Sequence, residues 1–435
     1  MTAKEKKLRG VAERFARFHK EFSPLFQTKT RDSSEIAGQY LNGLVQAPKK
    51  NMERMEEKVP ESNEQALQHF VTNSPWDERA VLNQVATEGD KLLGGKDDSC
   101  LLIDETGFVK KGKKSVGVIR QYCGRSGKID NCQIAVFAAL VSGDKSLPID
   151  FRLYLPKEWT DDVPRCLDAG IPAEKIQFKT KCQQAIEMVK AAKENGVRFN
   201  WVGADGGYGK DPGFLGDLYD LNLMFVADVH KSQLIYFANP NEQPGAQSQT
   251  AEKWVEQQIE KNWKTVAVRE CTKGKLVFDY LQAHVWIKIG HEKNYRQVRL
   301  IVRRNHEGKD DLKFSVSNVP DAISLERLAY MQGQRFWIER AFEDSKGSLG
   351  MSDYQLRKWR GWHHHMALTL LAHLFLLRER IHNADDFPLL SCQDVVSMLA
   401  FYLPKRDVTE EEMFRQLSAR HRKRQKEINR AQKKK

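Results

Sequence analysis

The sequence predicts an α/β fold in which helices flank a mixed β-sheet. Short apolar runs separated by glycine-rich turns begin near residue 95, and helix and strand patterns alternate between residues 179 and 229. Helical spacing of apolar residues characterises residues 1–95 and returns over 324–379. Strands followed by alternating helices and strands are typical of a sheet covered by helices. An N-terminal helical domain and a mainly β insertion complete the predicted fold.

Length and composition exclude several classes of protein. The chain has 435 residues, of which 40% are hydrophobic and 29% are charged. A disordered chain, a fibrous protein and a single small binding module are therefore excluded, and two or three structural units are expected. Seven scattered cysteines without a C-x-x-C pair indicate reduced thiols. Because the sequence has neither a secretory leader pattern nor an apolar run of about 20 residues, we expect a cytoplasmic protein that does not span a membrane.

The excess positive charge lies at the two ends of the chain. The formal charge is +12; residues 420–435 carry nine basic side chains and one acid, and residues 1–20 carry seven basic side chains and two acids. Such arms suit a nucleic-acid backbone, because each neutralised phosphate releases counterions. A solvated tail that only improves solubility is the competing interpretation.

Local patterns predict the elements in chain order. Residues 1–95 combine helical spacing with turn-prone breaks at 23–24, 49–51 and 59–60. Four strands are then predicted, followed by a helix, a strand, a helix and a strand: 99–103, 116–121, 132–141, 149–155, 179–194, 198–204, 213–222 and 223–229.

Beyond residue 230 the pattern changes twice. A polar loop precedes three strand-like runs over 265–270, 276–286 and 297–304, which indicate a mainly β insertion. Helical signals return over 324–379, and residues 391–403 form a further short helix.

Two aspartates each follow an apolar strand. Asp104 comes directly after Leu101-Leu102-Ile103, and Asp205 follows residues 201–204 and precedes two glycines that leave room for a ligand. We expect both carboxylates at strand ends beside a turn, where their oxygens can bind a hard divalent cation. Simple capping of a turn by each aspartate is the competing interpretation.

A third acid lies in a helical pattern near residue 340. Arg335, Glu339, Glu343 and Lys346 recur at steps of four, four and three, so they share one helix face. An ordinary surface helix with salt bridges between neighbouring turns shows the same pattern.

The joint pattern resembles the DDE transposases of bacterial insertion sequences, in the cut-and-paste branch with a Y-R-E-K helix. The signature R-x-x-x-E-x-x-x-x-x-x-K is matched by Arg335, Glu339 and Lys346. The resemblance includes residues 101–107, 202–209 and 361–365 and extends over about residues 70–385. Gln332 stands where the signature has tyrosine, although Tyr330 is nearby, and Glu343 is a rival of Glu339 for the third acid.

The resemblance implies an RNase H-like core with Asp104, Asp205 and Glu339 as catalytic residues and metal ligands. They would hold two Mg²⁺ ions, for which Mn²⁺ would substitute. Two such ions activate the attacking oxygen and stabilise the leaving oxygen of a phosphodiester. Arg335 and Lys346 would bind the DNA phosphate.

The resemblance also assigns roles to the segments of the chain. The expected segments are an N-terminal helical DNA-binding region (1–95), the first part of the catalytic core (96–230), a β-rich insertion (231–319), the second part of the core with the third-acid helix (320–385), and a C-terminal helix with the basic tail (386–435). In this branch such an insertion helps to manage a DNA hairpin formed during excision.

Two further groups of residues are candidates for contact with DNA. Lys110, Lys111, Lys113 and Lys114 are predicted in a hairpin turn on the same side as Asp104, where they either bind the DNA backbone or solubilise a loop. Trp286, Phe336 and Trp337 either stack on an unpaired base, a contact worth about 1–3 kcal/mol, or belong to the core.

Two other motifs are rejected as sites. Consecutive histidines 363–365 point in different directions on a helix and cannot jointly bind one zinc ion, which leaves phosphate contact or packing near Trp362. Residues 124–128 resemble a phosphate loop but lack its G-x-x-x-x-G-K-[ST] spacing, so we expect no ATP binding.

The resulting hypothesis is a metal-dependent DNA transposase. Its expected partners are double-stranded DNA, as the terminal inverted repeats of an element and as target DNA, and a second copy of the chain in the DNA complex. The alternatives are a non-enzymatic DNA-binding protein with the same fold, and an endonuclease or domesticated transposase that cuts without transposing.

Overall fold

The fold is a mixed α/β structure with one large sheet, as predicted at this level. The computed structural model describes residues 3–271, 274–290 and 294–432. Lys433–Lys435 of the predicted basic tail therefore lie outside the described residues. No helix within the described ranges is long and apolar enough to cross a bilayer.

The helices are numbered in chain order. They are α1 Ala3–Arg9, α2 Val11–Phe22, α3 Ser34–Gln46, α4 Met52–Glu56, α5 Glu64–Thr72, α6 Glu78–Leu93, α7 Lys157–Thr160, α8 Val163–Asp168, α9 Lys181–Glu194, α10 Gly206–Gly209, α11 Pro212–Asp220, α12 Ala251–Glu256, α13 Leu325–Gly333, α14 Phe336–Gly347, α15 Trp359–His382, α16 Cys392–Tyr402 and α17 Glu410–Gln432.

The strands are numbered in the same way. They are β1 Gln27–Thr28, β2 Arg31–Asp32, β3 Cys100–Val109, β4 Ile119–Cys123, β5 Lys128–Ser142, β6 Lys145–Leu153, β7 Trp201–Ala204, β8 Met224–Val229, β9 Leu234–Tyr236, β10 Ser248–Thr250, β11 Lys264–Cys271, β12 Gly274–Lys288, β13 Tyr295–Asn305 and β14 Lys313–Ser317.

Twelve of the described strands form one mixed sheet. Its order is β10-β9-β12-β13-β14-β8-β7-β3-β5-β4, with β11 paired to β12 and β6 paired to β5. β3, β7 and β8 run parallel, and the other pairings are antiparallel. The parallel strands are apolar and largely buried because helices must cover both faces of such strands.

The strands of residues 231–319 continue this sheet. β14 pairs with β8 through Phe314↔Val229, Ser315↔Asp228, Val316↔Ala227 and Ser317↔Val226. β13 and β12 then extend the sheet through long antiparallel pairings. The β-rich segment is therefore joined edge to edge with the parallel strands.

The chain divides into two compact units. The first consists of the described residues of Met1–Glu78, Asp344–Leu356 and Arg360–Lys435, and the second of Arg79–Glu343 and Arg357–Trp359. The first unit is helical apart from the short pair of strands β1 and β2, and its core surrounds the apolar helix α15.

The triple histidine belongs to the core of the first unit. His363, His364 and His365 are all buried. The His364 ring stacks on Trp76 at 3.7 Å between centroids, and His365 Nδ1 lies 2.8 Å from the hydroxyl of Tyr40. Of the two roles left open by the sequence, packing is therefore the one observed.

Several element boundaries differ from the sequence predictions. β3 does not end at Asp104 but continues to Val109, because β5 pairs with it as far as Cys132. The expectation that Asp104 stands at a strand end beside a turn is therefore wrong. The helical pattern over 324–379 is divided into α13, α14 and α15, and Arg335 lies in the turn between the first two.

Candidate active site

Three aspartates lie in one row across the parallel strands of the second unit. Ile103 of β3 pairs with Ala204 of β7, and Ala204 pairs with Ala227 of β8. The next residue on each strand path is an aspartate: Asp104, Asp205 and Asp228. Neighbouring strands are about 4.8 Å apart, so this register brings the three carboxylates together. We call these three residues the acid row.

Asp228 was missed in the sequence analysis. It follows the apolar run Met224-Phe225-Val226-Ala227, which is the same pattern that pointed to the other two aspartates. The signal was therefore present, but an aspartate near the end of one strand is common on its own. Only the register of the three strands distinguishes it.

Two glycines allow elements to approach this row closely. Asp205 caps the short helix α10, its Oδ1 accepting a hydrogen bond from the Gly207 amide at 2.8 Å. A Cβ on Gly209 would lie 2.0 Å from the carbonyl oxygen of Asp228. A Cβ on Gly333 would lie 2.5 Å from Cγ1 of Val268, so α13 ends against strand β11. Larger residues would displace both turns.

Helix α14 places the third acid. Ile338 and Ala341 are buried, and the Phe342 ring contacts the Phe137 ring with centroids 5.2 Å apart. Phe137 pairs directly with Asp104 across β5 and β3. This packing fixes the first turns of α14 near the acid row and leaves the side chain of Glu339 half exposed.

Arg335 lies at the centre of the carboxylates. Its Nε is 3.2 Å from Asp228 Oδ2, its Nη2 is 3.2 Å from Glu339 Oε1, and its Nη1 is 3.9 Å from Asp104 Oδ2. Burial alone would lower the pKa of this guanidinium, but the surrounding carboxylates, Asp228 foremost, outweigh burial and raise it. One cation is thus shared by several anions.

Asp104 is held in an environment that disfavours its charge. Its Oδ1 accepts a hydrogen bond from the Glu105 amide at 2.7 Å. Burial first, and then the nearby charge of Asp205, raise the pKa of Asp104 to about 7, although Arg335 and the amide act in the opposite direction. A carboxylate in this state gains stability from any added positive charge.

Asp228 is fixed by a chain of hydrogen bonds. Gln332 Nε2 donates to Ser315 Oγ at 2.6 Å, and Ser315 Oγ donates to Asp228 Oδ1 at 2.6 Å. Ser315 is fully buried in β14. Gln332, which replaces the signature tyrosine of the family, therefore supports the acid row through Ser315.

The structure distinguishes the two rivals for the third acid by their neighbours. Glu339 contacts Arg335 and contributes to the raised pKa of Asp104. Glu343 lies one turn further along α14 and pairs with Arg340 at 3.3 Å. The geometry therefore favours Glu339.

The chemistry of the donors fits a hard divalent cation. The acid row and Glu339 offer carboxylate oxygens only, which Mg²⁺ prefers. Arg335 occupies the space among three of these side chains and supplies the positive charge that an ion would bring. Within the described ranges, however, no group of three or more His, Cys, Asp or Glu side chains is already placed to hold a metal ion. Arg335 would have to move off Asp104 and Glu339 first.

A cavity of about 220 Å³ opens beside Arg335. Its wall includes Arg269, Arg303, Lys313 and Phe336, together with Asp228 and Glu339. The Arg269 guanidinium lies over the Phe336 ring at 3.6 Å and faces Trp337 at 5.3 Å. The surroundings of the acids are therefore rich in cations and aromatic surface.

The other residues predicted to contact DNA lie in three different parts of the structure. Lys110–Lys114 follow the end of β3, and six residues of extended chain, about 20 Å, separate Lys110 from Asp104. Contact of these lysines with DNA stays a prediction. Trp286 lies eight residues along β12 from Phe278, so it is also remote from Phe336 and Trp337. Lys346 lies in the last turn of α14.

Comparison with known proteins places the chain in a family. Residues 21–277 match the family model described as DDE superfamily endonuclease. The chain is 28% identical over 300 residues to the probable transposase for insertion sequence element IS701 of Microchaete diplosiphon, a match covering 68% of this chain and 69% of that protein.

A solved structure also matches, but only weakly. The NurA nuclease from Sulfolobus solfataricus shares 13% identity, and the match covers 61% of this chain and 86% of the nuclease with a TM-score of 0.29. This similarity is too low to support an argument. The family match extends over more than half of the chain and includes the acid row, so the resemblance inferred from the sequence is confirmed. The chain belongs to the DDE superfamily endonucleases and is an enzyme that acts on DNA.

Proposed function

We propose that this enzyme is the transposase of a bacterial insertion sequence, which cuts the DNA at the ends of its element and joins the freed ends to target DNA. The family membership and the similarity to a probable transposase support a DNA transposase function. The observation that carries the proposal is the convergence of Asp104, Asp228 and Glu339 on Arg335, with Asp205 in the same row.

Asp104, Asp205 and Glu339 are proposed as the catalytic residues and as the ligands of two Mg²⁺ ions, with Mn²⁺ as a substitute. When bound, such ions activate the attacking oxygen and stabilise the leaving oxygen of the phosphodiester. Burial of Asp104 and its repulsion from Asp205 raise its pKa to about 7, so positive charge added beside this pair would stabilise the ionised carboxylates.

Arg335 and Lys346 are proposed to bind the DNA phosphate. Arg335 already lies among the acids, and a guanidinium can donate two parallel hydrogen bonds to a phosphate. The cations in the wall of the neighbouring cavity extend the same positive surface. Phe336 and Trp337 are proposed to stack on an unpaired base near the cut, and Trp286 to do so at a separate point of the β-rich segment.

The core is proposed to be RNase H-like. The support is a mixed sheet in which parallel β3, β7 and β8 carry acids in one row while β5 and β6 are antiparallel. The helices before residue 95 are proposed to recognise the element ends, and the β-rich segment 231–319 to help manage a DNA hairpin. Lys110, Lys111, Lys113, Lys114 and the basic tail are proposed to add contacts with the DNA backbone. A homodimer on DNA in the cytoplasm completes the proposal.

The test is excision of a marked element flanked by the DNA that borders this gene. Wild type should excise it, whereas Asp104→Asn, Asp205→Asn and Glu339→Gln should each reduce excision at least about 1,000-fold, because each removes a carboxylate needed in the transition state. Glu343→Gln is the matched control and should keep near wild-type activity. An inactive Glu343→Gln beside an active Glu339→Gln would exchange their roles.

The same variants separate the alternatives. A non-enzymatic DNA-binding protein would show salt-sensitive DNA binding but no metal-dependent nicking in vitro by the wild type. A domesticated endonuclease would nick the DNA without joining the 3′ ends to a target. In both cases the proposed transposase function would be wrong.

A further inference from the structure

The acid row contains one carboxylate more than the Asp-Asp-Glu pattern requires. Asp228 shares the row with Asp104 and Asp205, yet it differs from them in its partners. Its Oδ2 forms an ion pair with Arg335, whose Nε lies 3.2 Å away, and its Oδ1 accepts a hydrogen bond from Ser315 Oγ at 2.6 Å. Both oxygens therefore already have partners within the protein.

Arg335 meets its carboxylates through different nitrogens. Nε faces Asp228, whereas Nη1 and Nη2 face Asp104 and Glu339. The Arg335 side chain is only 22% exposed. If a divalent cation takes the oxygens of Asp104 and Glu339, the two terminal nitrogens lose those partners, and a buried guanidinium without an anion is costly. Asp228 is the carboxylate that can still balance its charge.

We infer that Asp228 is a positioning residue that retains Arg335 by its Nε when cations bind to Asp104 and Glu339, so that the two terminal nitrogens turn to the DNA phosphate. This inference rests on the proposed function and deepens the role of Arg335 in it. Asp228 itself touches neither the metal ions nor the DNA. Ser315, itself bonded by Gln332, holds the other oxygen of this carboxylate, Oδ1.

The test is a double-mutant cycle on metal affinity. Mn²⁺ binding is measured by calorimetry, without DNA, for wild type, Asp228→Asn, Arg335→Gln and the double variant. In wild type the incoming cation takes the oxygens of Asp104 and Glu339 while Arg335 stays paired with Asp228 through its Nε. In Asp228→Asn it must leave the guanidinium without an anion, so we expect Mn²⁺ affinity to fall about 10-fold. In the Arg335→Gln variant no guanidinium has to lose its partners. Adding Asp228→Asn to that variant should therefore lower Mn²⁺ affinity by less than about 2-fold.

The other outcomes overturn the inference. If Asp228→Asn lowered Mn²⁺ affinity equally with arginine and with glutamine at position 335, Asp228 would be a metal ligand. If it lowered Mn²⁺ affinity in neither case, Asp228 would have no role in metal binding. Asp220→Asn, which removes an exposed carboxylate from α11, is the matched control and should bind Mn²⁺ as wild type does. Thermal unfolding in EDTA shows that each variant is folded; if Asp228→Asn is not, Asp228→Glu replaces it and should retain most of the affinity.

Failure of the inference is distinguishable from failure of the proposed function. Excision by wild type with no coupling between Asp228 and Arg335 would overturn the positioning role alone. If folded wild type bound no Mn²⁺, the metal-dependent function would be wrong, and the positioning role would be overturned with it.

Discussion

At the scale of single residues, the site is governed by an imbalance of charge. Four carboxylates, those of the acid row and Glu339, surround the single guanidinium of Arg335. Even when Asp104 holds its proton, these acids carry more negative charge than Arg335 alone balances. Added divalent cations would reduce that excess of negative charge.

The raised pKa of Asp104 predicts a pH dependence of stability. Because the folded protein holds this proton up to about pH 7 while an unfolded aspartate loses it near pH 3.8, the folded state binds more protons between these values. The contribution of Asp104 to the unfolding free energy should therefore decrease as pH rises from about 4 to 7 and stay constant above.

Buried histidines act in the opposite direction. Burial lowers the pKa of His364 to about 3 and that of His373 to about 4, so acid destabilises the fold below about pH 6.5. The measurement is therefore the difference in melting temperature between Asp104→Asn and wild type, in EDTA, from pH 4.5 to 8.5. The melting temperature of Asp104→Asn should rise by several degrees relative to that of wild type as the pH increases from 4.5 to 7. A constant difference would contradict the raised pKa.

At the scale of elements, the turn after β7 depends on a glycine. A Cβ on Gly209 would lie 2.0 Å from the Asp228 carbonyl oxygen, so Gly209→Ala must push α10 away from β8. We expect a loss of about 1–3 kcal/mol in the unfolding free energy measured with urea, and weaker Mn²⁺ binding because Asp205 caps this helix.

A glycine in open space provides the control for that change. A Cβ on Gly112 would meet no atom within 4 Å, so Gly112→Ala should leave stability within about 0.5 kcal/mol of wild type. Equal effects of the two alanines would show that the close approach of α10 to β8 does not matter.

The sequence predicts elements better than it predicts their contacts. Most strands and helices of the second unit lie within a few residues of their predicted positions, because hydrophobic period and turn residues are local signals. The continuation of β3 past Asp104 was missed, since Glu105-Thr106-Gly107 looks like a turn and only pairing with β5 keeps it extended. The role of Asp228 was missed for a similar reason, because strand register is not visible in a local pattern.

At the scale of the whole molecule, the cations of the C-terminal tail fall into two groups. Arg420 and Lys423 of α17 pair with Glu57 and Glu64 within the first unit, at 2.5 and 2.7 Å. Arg422, Arg424 and Lys426 are exposed. Paired cations contribute to the attachment of the helix, whereas exposed ones can meet a DNA backbone.

These groups predict different effects of charge removal. Replacing Arg422, Arg424 and Lys426 together by glutamine should weaken binding to DNA and reduce the slope of log affinity against log salt by about 2 to 3, with an unchanged melting temperature. Replacing Arg420 and Lys423 should lower the melting temperature and change the slope less. Fluorescence anisotropy between 50 and 300 mM salt measures the slope. An unchanged slope in the triple variant would mean that the tail only improves solubility.

The edge-to-edge pairing of β14 with β8 fixes the distance between the acid row and the inserted strands. β8 pairs on one side with β7, through residues up to Ala227, and on the other side with β14, through residues that include Asp228, so neither neighbour can shift without breaking backbone pairs next to the acid row. Four strand spacings separate β7 from β12, roughly 20 Å at about 4.8 Å each. A DNA segment held on the inserted strands would therefore be cut at a fixed offset. Changing that offset would require adding or removing a strand, because no single side chain sets it.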